Sequence, residues 1–185
     1  MKTKTILIFA TAILALAVLT RPAISAQDNY NLKVPGGLAF SEFKGYEDWA
    51  VVSVQHTEDL VKVVVGNPVT MDAFRSGIPG NGKPFPDDSR MAKVEWTPKK
   101  GPDVPYDIDV PGPGYALEFM VKDTKRFADS GGWGYALFVP DAASGTYRPG
   151  TQSHKPPQGN NASCGAACHT IVKAKDYVFT NYAKR

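Results

Sequence analysis

Tyr115-Ala116-Leu117-Glu118-Phe119-Met120-Val121 is the stretch whose period decides the fold. Laid out as a strand, it puts Tyr115, Leu117, Phe119 and Val121 on one face and Ala116, Glu118 and Met120 on the other. Glu118 is thus a lone carboxylate among small and apolar neighbours. Toward the N-terminus, residues 90–97 repeat the period, with Met91, Lys93 and Glu95 on one face and Ala92, Val94 and Trp96 on the other. Residues 49–54 and 60–65 are β-branched runs separated by the polar Gln55-His56-Thr57-Glu58-Asp59, which predicts neighbouring antiparallel strands. Asn67-Pro68 supplies a cap and a first helical residue, so a helix of about two turns is expected up to Arg75, stopped by Gly77. Toward the C-terminus, residues 122–129 read as a short helix or turn, 134–139 as a strand and 163–185 as helical stretches. Residues 77–88, 99–114 and 140–160 are rich in Gly and Pro and read as loops. No internal repeat or linker interrupts this order. The expectation is an α+β fold, a mainly antiparallel sheet with a few short helices, forming one domain over residues 27–185.

The chain has 185 residues, 43% hydrophobic and 21% charged, which suits one globular core and excludes disordered or collagen-like classes. Lys2 and Lys4 precede an apolar run from Ile6 to Leu19 that ends at Ala23, Ser25 and Ala26. That is the pattern of a secretory signal peptide over residues 1–26, and the run is too short to span a bilayer. Removing it takes away Lys2, Lys4 and Arg21, leaving 18 basic against 18 acidic residues. The formal charge of +3 therefore belongs to the leader. A neutral mature chain argues against nucleic acid as a partner, and against a membrane surface after cleavage. The expected location is periplasmic or secreted.

Two motifs fail on their own chemistry. Gly77-Ile78-Pro79-Gly80-Asn81-Gly82-Lys83 matches the front of a phosphate-binding loop, but Pro84 stands where a Ser or Thr must bind magnesium and a helix must begin. Asp129-Ser130-Gly131-Gly132 has the look of a serine-protease nucleophile segment, yet His56, the candidate base, lies in a polar loop and no G-x-S-x-G elbow occurs. A tight turn before a strand is the reading retained for it.

The two cysteines lie four positions apart in Cys164-Gly165-Ala166-Ala167-Cys168-His169, so they cannot staple distant parts of the chain. The run is one residue longer than the haem-attachment motif C-x-x-C-H, in which two thiols add to the haem vinyl groups and the imidazole binds iron. Positions i and i+4 of a helix share a face, so both sulfurs of the longer spacing can still meet one macrocycle edge, directly or with a one-residue bulge in the turn; failing that, Cys168 alone would form a single thioether and leave Cys164 free. A local Cys164–Cys168 disulfide is the alternative in an oxidising compartment, and zinc would lack ligands.

The wider sequence resembles the cytochrome P-460 family. Cys168-His169-Thr170 followed by Asp176-Tyr177-Val178-Phe179-Thr180 is similar to its C-terminal signature, a haem motif and then D-x-V-F-T. Phe85-Pro86-Asp87-Asp88-Ser89 leading to Lys93 resembles its F-x-D-G segment before a strand lysine, with Asp88 in place of the glycine. Leu117-Glu118, Val121-Lys122-Asp123, Arg126-Phe127, Trp133 and Phe138-Val139-Pro140 resemble its G-L-E-x-x-V-K-D block and the strand after it. The resemblance implies a secreted, usually homodimeric protein with covalent haem c held by Cys164, Cys168 and His169, the last as iron ligand. It also implies a bond from Lys93 to the porphyrin, proton removal by Glu118, and hydroxylamine as substrate, with nitric oxide as partner or product. An electron acceptor such as another cytochrome would complete the reaction. Lys62 falls where the family can carry an arginine.

Three functions compete. One is a haem oxidoreductase acting on hydroxylamine. A second is a protein like the related cytochrome c′-beta, which binds nitric oxide or other diatomic gases without turnover and lacks the lysine bond. The third is a haem-free secreted domain with the local disulfide. Lys93 separates the first two, and the fate of Cys164 and Cys168 separates both from the third.

Overall fold

The computed structural model describes residues 29–32, 37–150 and 162–182, with the backbone alone for 162–164. The expected signal peptide, residues 1–26, lies outside the described residues. Six strands form one antiparallel sheet in chain order: β1 (Ala50–His56), β2 (Val61–Gly66), β3 (Arg90–Lys100), β4 (Asp109–Lys122), β5 (Trp133–Asp141) and β6 (Thr146–Pro149). With every neighbour antiparallel, each connection is a hairpin or a short excursion. The expected α+β class, mainly antiparallel sheet, is the one observed.

Alternation along β4 divides the interior into two layers. Leu117, Phe119 and Val121 face a layer with Phe40, Phe43, Phe127 and Phe138, in which Phe43 stacks on Phe119 at 3.9 Å between centroids. Met120 faces the opposite layer, with Val52, Val64, Phe74, Phe85, Met91, Trp133 and Val178. The first layer is roofed by the 3-10 turns Phe40–Phe43 and Tyr46–Asp48. The second is roofed by helix α1 (Pro68–Arg75), by Phe85, and by the segment around Val178. Helix α1 begins as expected: Asn67 Oδ1 accepts the Thr70 N–H at 3.0 Å, with Pro68 at the first helical position. The same oxygen accepts the Arg90 N–H at 3.1 Å, which ties the cap to the start of β3.

Three features depart from the expected elements. Tyr115 does not share the face of Leu117. The register passes from Glu95 opposite Ala116 to Trp96 opposite Gly114, so Tyr115 is an extra residue in a bulge and lies 54% exposed. Residues 99–114 are not one loop, because β3 runs to Lys100 and β4 starts at Asp109. Pro111 and Pro113 sit in this irregular ribbon, with Pro111 opposite Pro98 beside a register shift, and a Cβ on Gly112 would lie 2.6 Å from the Thr97 carbonyl. Prolines at such irregular positions do not break a regular ladder. The third departure is β6, which pairs with the end of β5 through a turn with Gly145 at φ 68° inside the stretch read as loop.

Candidate haem site

Strand pairing places the charged residues of the second face side by side. Lys93 stands opposite Glu118, Lys62 opposite Glu95, and Glu95 opposite Ala116. Lys93 Nζ lies 2.5 Å from Glu118 Oε2 and 3.1 Å from Glu95 Oε1, and Lys62 Nζ reaches the same Glu95 oxygen at 3.4 Å. Glu95 is buried, its side chain 4% exposed, whereas Glu118 at 39% opens toward solvent. Burial pulls the Lys93 ammonium down, but Glu118 and then Glu95 outweigh it and hold the group above the usual lysine range. Two carboxylates therefore share one ammonium, with a second lysine on the buried one.

Facing this group across a cavity of about 560 Å³ is the C-terminal segment. Lys93, Glu118, Met120, Tyr135, Cys168, His169 and Phe179 are among its walls. Helix α2 (Ala162–His169) carries Cys164, Cys168 and His169, so the extra residue of C-x-x-x-C-H is absorbed by a regular helix and the two cysteine positions fall one turn apart. Gly165 lets this helix approach β5, since a Cβ there would come within 2.9 Å of the Tyr135 side chain. The Cys168 thiol is exposed at the cavity wall.

His169 is held in one orientation. Its Nδ1 lies 2.6 Å from the Tyr177 carbonyl oxygen. A carbonyl only accepts, so Nδ1 carries the proton and the Nε2 lone pair is left for a ligand. The ring packs against Tyr135 at 4.9 Å and Phe179 at 5.0 Å between centroids. Burial lowers the His169 pKa, which favours the neutral imidazole that a metal requires. The Tyr177 carbonyl reaches back because Asp176 and Tyr177 both adopt positive φ, 48° and 64°, after the 3-10 segment Thr170–Lys175. Asp176 is secured by the Phe85 N–H on one oxygen and by Lys122 Nζ on the other, each at 2.7 Å.

Gly131, at φ 70°, lies against the Tyr177 ring, and a Cβ there would run into it. Gly131→Ala is expected to lower stability by about 2–4 kcal/mol, from left-handed strain plus overpacking, as read from the urea unfolding midpoint.

The candidate residues thus converge: Lys93, Glu118, Cys168 and His169 line one cavity, and Cys164 sits on the same helix. Glu95 was not among the expected site residues, although its i+2 spacing from Lys93 already places it on that face. The Lys122–Asp176 link and the Tyr177 carbonyl also belong to the site. His56 does not: it pairs with Asp109 at 3.3 Å, away from the cavity.

The residues fit a haem. The volume lies in the range of about 300–1,000 Å³ typical of cofactor pockets, a neutral imidazole presents Nε2, and a thiol stands beside it. A buried Tyr135 hydroxyl with no hydrogen-bond partner adds an unsatisfied polar atom to the wall.

A cavity on one face of an antiparallel sheet, closed by a helix bearing cysteines and a terminal histidine, is the arrangement that a β-type c-haem protein, rather than a helical cytochrome, would use to hold its cofactor. The model of the cytochrome P460 family matches residues 43–180, and the chain belongs to that family of haem c proteins. A comparison with curated proteins finds no match.

Proposed function

We propose that this chain is a secreted haem enzyme that oxidises hydroxylamine, with nitric oxide as partner or product, and passes the electrons to a small acceptor such as another cytochrome. The observation that carries the reading is the Lys93–Glu118 pair, an amine and a carboxylate 2.5 Å apart on the wall of the cavity that His169 lines. Haem c, attached through Cys164 and Cys168, would supply a redox-active iron with His169 on one side. Every electron removed from hydroxylamine leaves a proton to be taken up, and Glu118 is the carboxylate open to the cavity for that task. Glu95 is too deeply buried and too fully paired to compete for it. A lysine bonded to the porphyrin through Nζ would no longer offer Glu118 the same cation, freeing its oxygens to accept protons from substrate. Location outside the cytoplasm rests on the leader pattern of residues 1–26.

The test is steady-state hydroxylamine consumption by the purified ferric protein with an artificial electron acceptor, read together with the mass of the peptide containing Lys93. Turnover and a lysine–porphyrin adduct are expected. An unmodified Lys93, with nitric oxide binding but no turnover, would replace this reading with the gas-binding one.

A further inference from the structure

Lys122 is the most deeply buried cation among the described residues, 3% exposed, and it lies on the second face of the sheet next to Trp133. Its Nζ donates to Asp176 Oδ1 at 2.7 Å and to the Gly131 carbonyl at 3.0 Å, and it sits over the Trp133 ring at 5.1 Å. Burying an ammonium is costly, and a hydrophobic residue of similar size often stabilises a core as well or better. Packing alone therefore does not account for the group. What the ion pair does is local and directional. Asp176, 12% exposed, is fixed through both oxygens, one on Lys122 and one on the Phe85 N–H. The residue that follows it is Tyr177, whose carbonyl accepts the His169 Nδ1 proton at 2.6 Å. Gly131, whose carbonyl Lys122 also binds, is the residue against which the Tyr177 ring lies. Both non-glycine residues of this turn hold positive φ, a conformation that persists only where its surroundings fix it.

From this chain of contacts we infer that Lys122 and Asp176 are positioning residues for His169. They hold the Tyr177 carbonyl on Nδ1 and so set both the direction of Nε2 and the electron richness of the imidazole. A firm Nδ1–H···O=C bond makes the ring a stronger donor and favours the ferric state of iron bound at Nε2. The inference deepens the haem-ligand reading of His169 and rests on it.

The test compares two variants of the haem-loaded protein. Lys122→Met/Asp176→Asn removes both charges and nearly keeps the buried volumes. Val52→Ala, in the same apolar layer and away from His169, serves as the control for general loosening. The reduction potential of the double variant is expected to move in the positive direction and its His169 Nδ1 proton signal to be lost from the NMR spectrum, with neither change in Val52→Ala. A double variant that matches wild type in both readouts overturns the inference, as does an equal potential shift in the control. Should the double variant fail to fold, Asp176→Asn alone keeps an acceptor for the Phe85 N–H, and the same positive shift is expected of it; an unchanged potential overturns the inference equally. A wild-type protein that carries no haem would sink the haem-ligand reading instead. The ¹⁵N NMR tautomer of His169 in that protein, expected as Nδ1–H, would still test the positioning.

Discussion

His169→Ala is expected to yield chain without attached haem, the haem content by pyridine haemochrome assay falling to background. The argument starts from the preparation of this one imidazole. Burial keeps it neutral, the Tyr177 carbonyl fixes its proton on Nδ1, and Tyr135 and Phe179 hold the ring from two sides. Nothing else on the described walls of the cavity offers a nitrogen lone pair, because the other nitrogen-bearing side chains there are the ammonium of Lys93 and the amide of Gln55. Without the iron bond, a porphyrin would have to be held for attachment with no imidazole to orient it. Normal haem content in the variant would mean that His169 is dispensable for assembly.

Glu118→Gln is expected to leave haem attachment intact and to slow hydroxylamine oxidation by about 10²-fold or more, the usual contribution of a positioned general base. The substitution preserves volume and strand register and removes only the ability to take up a proton. Its structural consequence is small, because Lys93 retains Glu95 at 3.1 Å and Glu118 is already 39% exposed. A surface carboxylate engaged in an ordinary ion pair would give almost no change in rate. The readout is kcat at matched haem content, and an unchanged value would remove Glu118 from the proton path.

Much of the fold was legible because its signals are local. The alternation of Leu117, Phe119 and Val121 against Glu118 and Met120 needs only a period of two, and the Asn67-Pro68 start needs only a cap and a fixed φ. Tyr115 broke the same alternation because a bulge is decided by the partner strand, which the stretch itself does not contain. The ribbon through Pro98 and Pro111 was hidden for a related reason: loop-forming residues were tolerated once two strands had been brought together by the sheet behind them. Strand β6 is four residues long, too short to show a period.

The site divides in the same way. Cys164, Cys168 and His169 announce themselves by spacing and Glu118 as a charge on an otherwise apolar strand face, whereas Lys93 is an unremarkable strand lysine that stands out only through the family resemblance. That Lys93 and Glu118 meet depends on β3 and β4 being neighbours in one register. Lys122 and Asp176 are 54 positions apart, and their pairing follows from the C-terminal segment folding back over β4 and β5. The decisive acceptor for His169 is a backbone carbonyl, which every residue has, so the side-chain pattern carried no mark of it. The 2.6 Å contact, and the positive φ values of Asp176 and Tyr177 that turn the carbonyl back toward His169, exist only in the folded chain.

The most direct test of the whole account is the intact and peptide mass of the protein purified from an oxidising compartment that attaches haem. The account predicts the mature chain plus one haem, with the haem carried on the peptide containing Cys164 and Cys168 and joined to the peptide containing Lys93. A chain of bare mass, two hydrogen atoms lighter through a Cys164–Cys168 disulfide, would contradict it.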